Sequence, residues 1–129
     1  MQICLQETID IVTEKVYAKV RKVNGIFRND FKELLQMSTK GTIFYFNGRY
    51  YRQKDGVAMG SPLGPALANA FLCHYETQWL DDCPLSFAPA LYVRYVDDIF
   101  VLLRSREHIK RLATYLSSKH RRRQLLAFS

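Results

Sequence analysis

The sequence lacks the features that would commit it to a membrane, a disulfide scaffold or a common nucleotide loop. No stretch approaches the about 18 uninterrupted apolar residues of a membrane-crossing helix. The opening residues, MQICLQETIDIV, carry acids where a secretory leader needs basic residues followed by a longer apolar run. No membrane partner is therefore expected. Cysteine is scarce: Cys4, Cys73 and Cys83 are an odd number with no CxxC pair and no second ligand at zinc spacing, which predicts a reduced, intracellular protein. Gly-Lys-Ser/Thr and GxGxxG are both absent, so neither a Walker loop nor a dinucleotide fingerprint is present. His74, His108 and His120 stand singly, without partners at ligand spacing, and read as surface or boundary residues. Carboxylates are also few, 12 against 19 lysines and arginines, which leaves a net charge of +7. Eight tyrosines and eight phenylalanines lie among those bases, and nucleic acid is the partner this combination favours.

The chain has 129 residues, the size of one domain, and is 48% hydrophobic, enough to bury a core. Apolar residues recur at Ile9, Val12, Val16 and Val20, predicting an amphipathic helix over 7–20 that the run 22–25, Lys-Val-Asn-Gly, should stop. A second helix is expected over 30–36, with Asn29 as its N-cap and Phe31, Leu34 and Leu35 inward. Next comes TIFYFNGRYYRQ, two aromatic and β-branched runs around Asn47 and Gly48, a pair that tolerates the positive φ angles of a type I′ hairpin turn. The following Gly-rich loop leads into a helix that repeats Leu63, Leu67, Phe71 and Tyr75, with Pro62 and Pro65 at its first turn. DDCPLSFAP reads as a connecting loop, with Asp81 and Asp82 at a helix end in solvent, and Trp79 reads as core. A second hairpin is expected over 91–96 and 99–103, and Ser105 should cap a last helix with Ile109, Leu112, Ala113 and Leu116 inward. These elements predict an α/β fold of the α+β two-layer kind: an antiparallel sheet built from the two hairpins, with helices packed on one face.

Two features carry chemistry. Asp97 and Asp98 sit between almost uninterrupted apolar runs in LYVRYVDDIFVLL. Adjacent strand residues point to opposite faces, so two consecutive acids serve one site only where the chain turns, and the pair is expected at the hairpin tip. Neither is the Gly or Asn that such a turn prefers, so about 1 to 3 kcal/mol of backbone strain is expected there. A hard divalent cation held through oxygen would compensate both strain and charge repulsion; the competing reading is two turn aspartates in water. The second feature is DGVAMGSPLGPALAN, where Gly56, Gly60 and Gly64 strip side chains from a loop and the helix it enters. That bareness fits either a phosphate lying against the exposed N–H groups of the helix start or a helix start packed tightly on a sheet.

Together, MGSPLGPALANAFL at 59–72 and YVDD at 95–98 resemble the template and nucleotide loop and the catalytic box of a reverse transcriptase palm. FYFNGRYYRQKDGVAMGSPLGP and the run-in ETIDIV are most similar to the Penelope-like retroelements, and the resemblance covers roughly residues 5–119. It implies a partial palm domain over 1–118, a basic tail over 119–129, and RNA-directed DNA synthesis by Mg²⁺-dependent, two-metal nucleotidyl transfer from deoxynucleoside triphosphates onto a DNA primer held on an RNA template. Asp97 would be the principal metal ligand with Asp98 beside it. Tyr95 and Val96 would place the hairpin under the primer end, Gly60, Ser61 and Pro62 would line the nucleotide and template side, and Arg52 and Lys54 would contact phosphate. Met59 stands where many of these enzymes have Gln. The family's third carboxylate falls on a strand just before the segment matching LQETIDIV, ahead of Met1, so the chain by itself is expected to be inactive or nearly so. A non-catalytic nucleic-acid-binding remnant of a retroelement is the alternative. The arginines at 121–123 are read as a nuclear address, a phosphate contact or the result of truncation.

Overall fold

A computed structural model describes residues 3–58, 60–96 and 98–127, with side chains as far as 120. Asp97, Met59 and the side chains of the basic cluster at 121–123 thus lie outside the described residues. Among the described residues, four helices alternate with three antiparallel two-stranded sheets, as the α/β expectation requires. The chain divides into two compact units, Met1–His74 and Tyr75–Ser129.

In the first unit, α1 (Leu5–Tyr17) and α2 (Arg28–Thr39) flank a small hairpin, β1 (Lys22–Val23) with β2 (Ile26–Phe27). The expected helix stop at 22–25 is in fact β1 followed by this hairpin's turn, with Asn24 at φ 47° and Gly25 at φ 80°. Helix α1 ends earlier than its apolar repeat predicts, and Val20 is exposed. The reason lies at Tyr17, whose hydroxyl donates to the Ile26 carbonyl at 2.9 Å and whose ring meets Phe31 at 5.5 Å, so the chain turns there. Helix α2 begins at Arg28 with Phe27 in the cap position; Asn29 is not its N-cap but sits inside the first turn, and Leu34 faces solvent. The two helices join through Lys32 and Asp10, 2.6 Å apart, and the ammonium group holds the Asp10 carboxyl below its usual range.

The core of this unit is Leu5 and Ile9 of α1 with Leu67, packed by Val12, Leu35, Val57 and Leu63. Leu67 belongs to α3 (Gly64–Asp81), whose predicted stripe is observed, with Leu67 and Phe71 buried. The hairpin of β3 (Ile43–Phe46) and β4 (Arg49–Arg52) closes as expected through Asn47 at φ 47° and Gly48 at φ 76°.

In the second unit, β5 (Leu91–Tyr95) pairs with β6 (Asp98–Leu102), followed by α4 (Arg106–Ala127). Cys83, Phe87 and Leu112 form its core, packed by Val101, Leu103, Tyr115 and Leu116. The segment read as a plain connecting loop therefore supplies two core residues. Burial pushes the Cys83 thiol and the Tyr115 phenol up from their ordinary values, and the Tyr115 hydroxyl donates to the Trp79 carbonyl at 2.8 Å. Ser105 does cap α4, accepting from the Glu107 N–H at 3.4 Å, but the inward stripe is Leu112, Tyr115 and Leu116, while Ile109 and Ala113 are exposed.

The structure departs from the expected single sheet: β3–β4 and β5–β6 are each two-stranded. A tight turn encodes the pairing inside a hairpin and carries no signal for pairing between hairpins. Helices on one face hold for β5–β6, where Tyr92, Arg94 and Val101 turn inward; every residue of β3 and β4 is exposed.

Candidate active site

Alternation along β5 and β6 sorts the second hairpin into two faces. Tyr92, Arg94 and Val101 lie on the helix side, whereas Val93, Tyr95, Asp98 and Phe100 lie on the other and are exposed. Tyr95 pairs directly with Asp98, so Asp98 is the first residue of β6 and not part of the turn; β5 ends one residue earlier at the tip than expected, and β6 begins one residue earlier. The turn starts at Val96, which has φ 54°. Val96 is β-branched, and the left-handed region is unfavourable for it, so backbone strain stands directly before the two aspartates; the strain expected at Asp97 itself lies outside the described residues. Asp97, the principal candidate ligand, lies outside the described residues.

What holds this turn is a buried network that sequence reading missed. Glu76 of α3 and Arg94 of β5 have side chains only 8% exposed each, and Arg94 Nε donates to both Glu76 carboxylate oxygens, at 2.8 and 3.1 Å. The Tyr92 hydroxyl donates to the same carboxylate at 2.9 Å. Arg94 Nη1 then donates to the Val96 carbonyl at 3.1 Å, so the guanidinium ties the strained residue to the helix. A buried charge pair needs such added hydrogen bonds to offset its desolvation. The nearest cation in sequence to Asp98 thus has its Nε on Glu76, on the opposite face of the hairpin. The signal in sequence was Arg94 itself, a charge at an inward position of an apolar strand. Its partner, 18 residues away on a helix, left no such trace.

The glycine loop belongs to the first unit. Gly56 and Gly60 both have φ 83°, so glycine is required there by backbone conformation, and a Cβ on Gly60 would meet nothing within 4 Å. The Ser61 N–H donates to the Ala58 carbonyl at 3.1 Å and the Gly64 N–H to the Ser61 carbonyl at 3.0 Å. Two of the N–H groups expected to await a phosphate are therefore used inside the loop. Asp55 fixes its start: one carboxylate oxygen accepts from the Gly56 N–H at 2.7 Å and from the Leu5 N–H at 3.1 Å. Cys4, in the cap position of α1, makes no side-chain cap bond, so Asp55 serves that helix end from 50 residues away. Gly60 and Ser61 line a cavity of about 530 Å³ with Gln53 and Asp55, whereas Pro62 is exposed. Arg52 and Lys54 border a neighbouring cavity of about 800 Å³.

Among the described residues, no three His, Cys, Asp or Glu side chains converge to hold a metal ion. The donor type nevertheless fits Mg²⁺: Asp98 is an exposed carboxylate, a hard oxygen donor, and none of the described ion pairs involves it. No described helix is long and apolar enough to cross a membrane.

The sequence model of the family described as reverse transcriptase (RNA-dependent DNA polymerase) fits residues 9–126, and the chain belongs to that family. Among curated relatives, telomerase reverse transcriptase of Oryza sativa subsp. japonica is 30% identical over 96 residues, a match that takes in 67% of this chain and 8% of that protein. The chain thus corresponds to a small part of the length of that relative. No solved structure matches it.

Proposed function

We propose that this chain is the palm segment of an RNA-directed DNA polymerase of a Penelope-like retroelement, with the palm over 1–118 and a basic tail over 119–129. The observation that carries this reading is the tip of β5–β6 in a chain of this family: the acid pair at Asp97 and Asp98 follows a strained Val96 whose carbonyl is held by Arg94. Asp97 and Asp98 would ligate Mg²⁺. When bound, the ions supply activation of the primer 3′ hydroxyl and neutralise charge in the in-line transition state. Tyr95 and Val96 position the turn beneath the primer end, and Arg94, anchored on Glu76, keeps that turn from relaxing.

Gly60, Ser61 and Pro62 form the nucleotide and template side, where backbone is bare of side chains, and Arg52 and Lys54 contact phosphate. The partners are an RNA template, a DNA primer and deoxynucleoside triphosphates, in an intracellular setting. Two-metal chemistry calls on more carboxylate than Asp97 and Asp98 provide. The 129-residue chain alone is therefore expected to be inactive or nearly so.

The test is nucleotide incorporation on a primed RNA template with Mg²⁺, using this segment joined to its natural upstream neighbour, with Asp97→Ala as the comparison. Loss of incorporation in Asp97→Ala is the expected result. Equal incorporation by both proteins removes Asp97 from the chemistry, and no incorporation by either favours a non-catalytic nucleic-acid-binding remnant.

A further inference from the structure

The β3–β4 hairpin has a surface that its own fold does not use. Its pairing, Phe44 with Tyr51 and Tyr45 with Tyr50, puts one aromatic pair on each face. The Phe44 and Tyr51 rings are stacked at 5.5 Å and 17°, and those of Tyr45 and Tyr50 stand 5.1 Å apart at 58°. Neither face is covered: Tyr50 is 78% exposed, Phe46 67% and Tyr45 64%. Each face also carries an arginine, Arg49 beside Tyr51 and Arg52 beside Tyr50. Residues 40–54 contain Lys40, Arg49, Arg52 and Lys54 and no carboxylate. A two-stranded ribbon with both faces in water is marginal by itself.

We infer that this hairpin is a stacking platform for an unpaired nucleic-acid strand, whose bases lie on the two aromatic faces while its phosphates meet Arg49 and Arg52. The chemistry selects this occupant. Aromatic rings interleaved with cations, and no acid, complement a chain that alternates flat bases with anions. A duplex keeps its base faces stacked inside and offers the rings nothing. The second hairpin makes the contrast: its exposed face is Leu91, Val93, Tyr95, Asp98, Phe100 and Leu102, which carries a carboxylate and no cation, its one arginine being turned inward onto Glu76. The inference rests on the templated-polymerase reading to the extent that such an enzyme must hold an unpaired template strand.

The experiment measures binding of a fluorescein-labelled single-stranded oligouridylate RNA to the full chain by anisotropy, in EDTA and without nucleotides, beside a blunt RNA duplex of similar length. Tyr50→Leu and Tyr45→Leu keep an apolar strand residue and remove the ring; each is expected to weaken single-strand binding by roughly 5- to 150-fold. Arg49→Gln, at an exposed position of β4, is expected to flatten the slope of log affinity against log salt by about 0.7. Circular dichroism checks that each variant keeps the wild-type fold. Unchanged binding in both tyrosine variants overturns the platform, as does duplex binding equal to single-strand binding. Concentration-dependent dimerisation that the tyrosine variants abolish also overturns it, in favour of a second copy as occupant. Because the assay contains no metal, its failure leaves the incorporation experiment untouched. Conversely, lost incorporation with ring-dependent binding intact overturns the polymerase reading and upholds the platform.

Discussion

Replacing Glu76 by alanine takes from the buried Arg94 guanidinium, 8% exposed, the two contacts that Glu76 makes with it at 2.8 and 3.1 Å. The Tyr92 hydroxyl loses the same acceptor. Removing one partner of a buried pair costs about 3 to 5 kcal/mol, mostly the penalty of the stranded charge. Whole-domain stability is about 5 to 15 kcal/mol, so the substitution removes a large share of it. Trp79, the single tryptophan, is buried in the same unit as Glu76, Arg94 and Tyr92, and its fluorescence during urea unfolding reports on that unit. Arg94→Met alone should also destabilise, because it orphans the carboxylate. Combining Glu76→Ala with Arg94→Met removes both charges together and should recover part of the loss, giving a favourable coupling of about 0.5 to 3 kcal/mol in the double-mutant cycle. A Glu76→Ala cost under about 1 kcal/mol would be the behaviour of an exposed pair and would refute the reasoning.

Two further outcomes follow from the same geometry. Asp55→Ala removes the shared acceptor of the Leu5 and Gly56 N–H groups and is expected to cost about 1 to 2 kcal/mol; chemical denaturation measures the loss, and hydrogen exchange should show it first at the start of α1. Because burial raises the Cys83 thiol above its ordinary value of 9.0, the folded state keeps a proton there that the unfolded chain gives up. Stability from this group is therefore lost as pH rises past 9.0, and melting temperatures should fall more steeply in the wild type than in Cys83→Ala across that alkaline range.

The parts legible in the sequence were those written in local chemistry. Asn47 and Gly48 announced their hairpin because few other pairs accept two positive φ angles, and Asn24 and Gly25 carried the same signal, although a preceding helical repeat made it read as a stop. The stripe through Leu67 and Phe71 was visible because a helix face repeats at a fixed interval. Glu76 and Asp55 were not visible, since each acts on a partner far along the chain: Glu76 on Arg94 and Asp55 on Leu5. The burial of Cys83 and Phe87 was hidden by the prolines around them, which mark irregular backbone and say nothing about what that backbone covers. At the acidic tip, the motif indicated a turn but not its register, and one position of register decides whether Asp98 begins a strand or belongs to the bend.

The ribbon of β5 and β6 has an oily outer side and two open edges, the geometry that recruits strands from neighbouring molecules. A charge of +7 opposes such sticking by mutual repulsion, whose reach shrinks from about 10 Å in 0.1 M salt to about 3 Å in 1 M. Brine strong enough to strip polyanions from this molecule during purification thus also removes what keeps its copies apart, and handling favours a middle ionic strength.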